Sequence, residues 1–198
     1  MISLTGKLSD SNGRLRGNSE VPFLVDRKFV SPSGILGIDR DLEVVEANRA
    51  AVKGTPYQAA RFLHGEWLDV LHDLANRKKL KPCFLWFDST AEPKAAFRAV
   101  RRTVSLLNEI PGEFVISANF IAARSYPHRF DLDFDEIREV ASTSGLMELA
   151  SSTGWEQPDD AYYYGGTGPN SKTMMMFFTI GRKSRQQDSR TCPSRIFA

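Results

Sequence analysis

The chain has 198 residues, of which 41% are hydrophobic and 25% charged, with a formal net charge of +2. That size and balance describe one ordinary domain with a core of its own and exclude a disordered body. A near-balanced charge gives no global attraction to nucleic acid, and no apolar run approaches the roughly 18–20 residues that span a bilayer.

Residues 1–20 are polar and rich in Gly, Ser and Asn, and read as a flexible N-terminal arm rather than a secretory signal. Pro22–Phe23–Leu24–Val25–Asp26 reads as a short strand, and Ser31–Pro32–Ser33–Gly34 as a turn. Ile35 to Asp39 is an apolar strand that stops abruptly at a carboxylate. Asp41 then caps a helix in which Leu42, Val45, Asn48 and Ala51 follow helical spacing, and Lys53–Gly54–Thr55–Pro56 ends it. Ala60 to His64 is a further strand, closed by Gly65–Glu66–Trp67 and followed by a small helix from Leu68 to Asn76. Cys83–Phe84–Leu85–Trp86–Phe87–Asp88 is the strongest buried-strand signal in the chain. Ser89 and Thr90 lead into a long helix from about Glu92 to Asn108. Its apolar face is Phe97, Val100, Val104 and Leu107; Arg98, Arg101 and Arg102 mark a solvated face.

After the Pro111–Gly112 turn, Phe114 to Phe120 is another buried strand. Asp133 to about Ala150 is helical with a break near Gly145, and two closing strands cover Ala161–Tyr164 and Thr173–Ile180. Alternating strands and helices at this spacing predict an α/β fold: a mainly parallel sheet with helices on both faces and an antiparallel edge. The domain covers residues 21–183, and residues 184–198 form a basic, flexible tail. The lone thiols Cys83 and Cys192 fit a reducing, cytoplasmic setting.

Three chemistries find little support. His64, His72 and His128 lack metal-ligand spacing, and no C-x-x-C or G-x-S-x-G occurs. The stretch Gly166 to Thr173 approaches a phosphate-binding loop, but Ser171 stands where its last glycine belongs and Pro169 removes an amide from the cradle; it reads as a connection between edge strands.

The order of Gly37–Ile38–Asp39–Arg40, Gly65–Glu66–Trp67, Phe87–Asp88–Ser89–Thr90 and the closing Phe177–Phe178–Thr179–Ile180–Gly181 resembles the Rossmann-like S-adenosylmethionine-dependent methyltransferases, over roughly residues 34–183. The resemblance implies a three-layer Rossmann-like sheet and S-adenosylmethionine as cofactor. Asp39, with Arg40, would serve the ribose hydroxyls. Gly65, Glu66 and Trp67 would serve the adenine, and Asp88 the cofactor's amino end or the methyl acceptor. Carboxylates at strand ends suit a cofactor that carries a positive sulfonium and donates from hydroxyl and amino groups.

Each residue also has a plain structural alternative. Asp39 and Asp88 are equally suited to cap the helices that follow them, and Trp67 to anchor a core. The family's glycine-rich loop has no counterpart, since no G-x-G precedes Gly34, so its first strand–helix unit is absent, degenerate or replaced. The chain carries no N/D-P-P-Y/F signature to identify an acceptor, although the basic tail tilts the expectation toward nucleic acid. The competing class is a non-catalytic scaffold built on the same sheet.

Overall fold

The computed structural model describes residues 1–4, 7–17, 19–81, 83–88, 93–124, 134–156, 162–165 and 173–182. Strand β1 (Ile2–Leu4) leads through a long connection to helix α1 (Glu20–Asp26). Strand β2 (Leu36–Asp39) is followed by α2 (Leu42–Val52), β3 (Arg61–His64) by α3 (Trp67–Asn76), and β4 (Cys83–Asp88) by α4 (Pro93–Asn108). Next come β5 (Phe114–Arg124), α5 (Phe134–Thr143), α6 (Leu146–Ser152), β6 (Trp155–Glu156), β7 (Tyr162–Gly165) and β8 (Thr173–Arg182).

All eight strands form one sheet in the order β3-β2-β1-β4-β5-β8-β6, with β7 also paired to β8. Strands β1 to β5 run parallel, and β6, β7 and β5 each meet β8 antiparallel. The expected fold class holds, with an antiparallel edge in which β8 pairs with β5 and with the short strands β6 and β7.

Two expectations are corrected. The segment expected to be a flexible arm contains β1, the middle one of the five parallel strands, with Ile2 in register with Leu36 on one side and Leu85 on the other. The segment expected to be the first strand, Pro22–Asp26, is helical. Proline is tolerated in a first helical turn because its missing amide has no intrahelical acceptor there, and here Pro22 stands three residues after the Ser19 cap. The first strand–helix unit is therefore present. Its crossover runs from residue 5 to residue 35 and meets the length a parallel connection needs.

Helices cover the sheet on both sides. Val21 of α1 and Val45 and Val52 of α2 pack with Leu8, Ile35 and Phe62 on one face. Leu71 of α3, Phe97 and Val104 of α4, Ile137 of α5 and Leu146 of α6 pack with Ile2, Ile38, Leu85 and Ile116 on the other. The break expected near Gly145 is real: Gly145 adopts a left-handed conformation, φ 71°, between α5 and α6. Arg98, Arg101 and Arg102 are exposed on α4, as expected.

Arg182 closes β8 opposite Phe114. Its guanidinium donates to the carbonyls of Leu107, Ile110 and Gly112 and lies over the rings of Phe114 and Trp155. It thus ties the end of α4 and the turn into β5 to the sheet edge. Burial lowers its pKa from the usual arginine value. The expected tail, residues 184–198, and most of the Gly166–Thr173 connection lie outside the described residues.

Candidate functional site

In this sheet the chain winds outward from β1 through β2 to β3 with α1 and α2 on one face, then returns across the other face through α3 to β4. The winding direction reverses between β1 and β4. Such a switch point opens a crevice at the carboxyl ends of the strands, where α/β proteins bind ligands. The strand ends that border it are Leu4, Asp39, His64 and Asp88, and Asn119 lies in register with Asp88 on β5.

Asp39 is half-buried at the end of β2. Its Oδ1 accepts the Asp41 amide at 2.8 Å, and Asp41 in turn caps α2 by accepting the Glu43 amide at 2.9 Å. The two acids divide the work. Asp41 takes the cap, which removes the plain structural alternative for Asp39, and a carboxylate with about four acceptor positions has spent one of them. Arg40 is exposed beside it. The Arg40 carbonyl accepts from His64 Nε2 at 3.0 Å, so that nitrogen carries the hydrogen.

The loop after β3 is joined to Asp39 directly, since the Gly65 amide donates to the Asp39 carbonyl at 2.9 Å. Gly65 has φ +151°, and a Cβ there would stand 2.8 Å from Val70 Cγ2. Both the backbone and the space demand glycine. Gly65→Ala is therefore expected to cost about 1–3 kcal/mol, read by urea unfolding. A loss below about 0.5 kcal/mol would show that the loop relaxes freely.

Glu66 occupies the cap position of α3, makes no side-chain capping bond and is exposed. Its carboxylate is left to solvent at the crevice rim. Trp67 is only 5% exposed. Its Nε1 donates to Thr103 Oγ1 at 3.0 Å, and its ring meets the Phe87 ring edge-on with centroids 5.7 Å apart. The indole belongs to the core. The backbone amide of Trp67 lies in the first turn of α3, where it has no intrahelical acceptor.

Asp88 ends β4 across the switch point from Asp39; its side chain, with Ser89 and Thr90, lies outside the described part of the structure. Two further polar residues at the crevice escaped the sequence pattern. Ser3, fully buried in β1, donates from Oγ to Glu20 Oε2 at 3.4 Å, which brings the first acid of α1 against the central strand. Asn119 is 4% exposed beside Asp88. A polar residue within an apolar strand is the signal that could have singled out Asn119. Glu20 was hidden by the reading of residues 1–20 as an arm.

Among the described residues no three His, Cys, Asp or Glu side chains gather as a metal site, and no helix is long and apolar enough to cross a membrane. Cys83 is a free thiol whose pKa burial pushes up to about 11, which makes it a poor nucleophile.

No family model and no curated protein matches the sequence. Solved structures do match the fold. The methyltransferase domain of bacterial CtHen1 superposes with a TM-score of 0.54 at 13% identity, over 92% of this chain and 89% of that one. TYW2 of M. jannaschii, solved with AdoMet, gives 0.52 at 9% identity, over 91% and 68%. A 16S rRNA (adenine(1408)-N(1))-methyltransferase from Catenulisporales acidiphilia gives 0.50 at 12% identity, over 93% and 85%. The chain has the Rossmann-like fold of the class I S-adenosylmethionine-dependent methyltransferases.

Proposed function

We propose that this chain, on its methyltransferase fold, binds S-adenosylmethionine in the crevice above β1 and presents the methyl group to an acceptor beside β4 and β5. The observation that carries the reading is the division of labour between Asp39 and Asp41 next to the switch point. An acid relieved of capping at the end of the second strand is what two ribose hydroxyls need. Arg40 borders the same position. Gly65 holds the next loop close to Asp39, so that the exposed Glu66 carboxylate accepts from the adenine amino group and the Trp67 amide donates to the ring. Asp88 serves the cofactor's amino end or the acceptor.

The bound cofactor supplies an electrophilic methyl on a sulfonium. The chain's residues then have to orient that group and exclude water; no covalent protein nucleophile is required. The acceptor in this reading is a nucleic acid. Support comes from Arg185, Arg190 and Arg195 of the basic tail and from the rRNA named for one fold neighbour. A cytoplasmic setting fits the free thiol of Cys83.

Isothermal titration of the full chain with S-adenosylhomocysteine tests the reading. Micromolar binding is expected. An absence of heat at millimolar ligand would reject it in favour of a non-catalytic scaffold on the same sheet.

A further inference from the structure

The connection from β1 to α1 carries no G-x-G. Its described part is a small hairpin closed by an antiparallel bridge between Ser9 and Leu15. Asp10 organises the tip. Its Oδ1 accepts the amides of Asn12 and Arg14, its own amide donates to the Arg14 carbonyl, and Gly13 turns the chain at φ 74°. At the base, the Arg16 amide donates to the Leu8 carbonyl at 2.9 Å. Leu8 is sunk among Val21, Val45 and Phe62, leaving 4% exposed.

The amide of Leu8 does not bond within the hairpin. It donates to Oδ1 of Asn48 on α2 at 2.8 Å, and Asn48 has no exposed surface. A fully buried amide side chain on an otherwise apolar helix face is costly unless its bonds are used. Asn48 lies on the helix that Asp41 caps, directly after Asp39. The helix that follows directly on the acid at the end of β2 therefore grips the loop that leaves β1.

We propose that Asn48 is a positioning residue. It fixes the 8–16 hairpin as one wall of the cofactor crevice, in register with Asp39, and does by a side-chain tether what a glycine-rich loop does by close backbone approach. This rests on the cofactor reading above, and the test separates the two.

Hydrogen exchange of the full chain is followed without ligand, and affinity for S-adenosylhomocysteine is measured by titration. Asn48→Leu, with the same branching and the same number of side-chain heavy atoms but no acceptor, is expected to speed exchange over residues 7–17 at least tenfold beyond any global change and to weaken binding about tenfold. Asn48→Asp keeps an acceptor oxygen but buries a carboxylate at a cost in global stability; hairpin exchange corrected for that global change, and affinity, are expected to stay within about threefold of wild type. Val52→Ala removes packing from the far end of the same helix without touching the Leu8 amide, and should leave affinity within about threefold despite lost stability. Unchanged hairpin exchange in Asn48→Leu, or an equal loss of affinity in Val52→Ala, overturns the proposal. Hairpin exchange that responds as expected in a wild-type chain that binds no ligand overturns the cofactor reading and the affinity claim, and upholds the tether.

Discussion

Asp39→Ala is expected to weaken S-adenosylhomocysteine binding by at least about 100-fold while the chain stays folded. A carboxylate that accepts from both ribose hydroxyls makes two charge-assisted bonds of about 1.5–3 kcal/mol each. The lower end of that sum already corresponds to about two decades of affinity. The structural cost is small by comparison. The one bond described for the side chain is to the Asp41 amide at 2.8 Å, in an exposed turn. Asp41→Ala provides the contrast. It removes the α2 cap, with an expected loss of about 1 kcal/mol in stability, and should leave affinity within a few-fold. The two variants measured side by side, by titration and by thermal unfolding, distinguish a ligand-binding acid from a structural one. If Asp39→Ala binds within fivefold of wild type, or if the two variants exchange roles, the assignment of the crevice fails.

Arg182→Ala should be the most destabilising of the substitutions considered, by about 3–5 kcal/mol in urea unfolding. Its guanidinium serves the carbonyls of Leu107, Ile110 and Gly112, and it lies 5.3 Å and 5.7 Å from the centroids of Phe114 and Trp155. Charged hydrogen bonds contribute about 1.5–3 kcal/mol each, partly offset by water that reaches the vacated carbonyls, and the ring contacts add about 0.5–1 kcal/mol each. The positive charge also stands at the carboxyl end of α4, where the helix dipole favours it. Arg182→Lys keeps the charge and loses the planar fork, so it should recover less than half of the loss. The site lies at the end of the sheet opposite the crevice, so ligand affinity measured well below the unfolding temperature should be unchanged. A loss under 1 kcal/mol would mean that the sheet edge is held by other contacts.

The elements from β2 to β5 were legible because each carries an unambiguous period. The Cys83–Asp88 run is too short and too apolar for a surface helix, and Phe97, Val100, Val104 and Leu107, all predicted to face the core, are at most 1% exposed. The opening of the chain was not legible, for two physical reasons. Strand β1 is three residues long with a serine at its middle, and what makes it a strand is pairing on both sides with segments far along the chain. The apolar stretch Pro22–Asp26 has no room to display a helical period. Its burial is split, with Val21 and Pro22 inside and Phe23 52% exposed. The positions of Asp39, Gly65 and Glu66 could be read because strand ends can be read. For Trp67 the core-anchor alternative holds for the indole, and what decides it, the partners Thr103 and Phe87, comes from α4 and β4. Asn48 was visible only as one more position on the inner face of a helix; its polar chemistry gained meaning once Leu8 was found beside it.

The placement of β1 also bears on how the molecule assembles. Residues 2–4 cannot complete their ladder until residues 36–38 and 85–86 stand on either side. The middle of the sheet is thus sealed by remote pairings rather than by a local nucleus, and chains of that kind pay a large loop-closure entropy and fold slowly. Until that closure, the ladder edges of β2 and β4 stand open, so the nascent chain is most vulnerable to intermolecular association at the seam where its ligand crevice will later form.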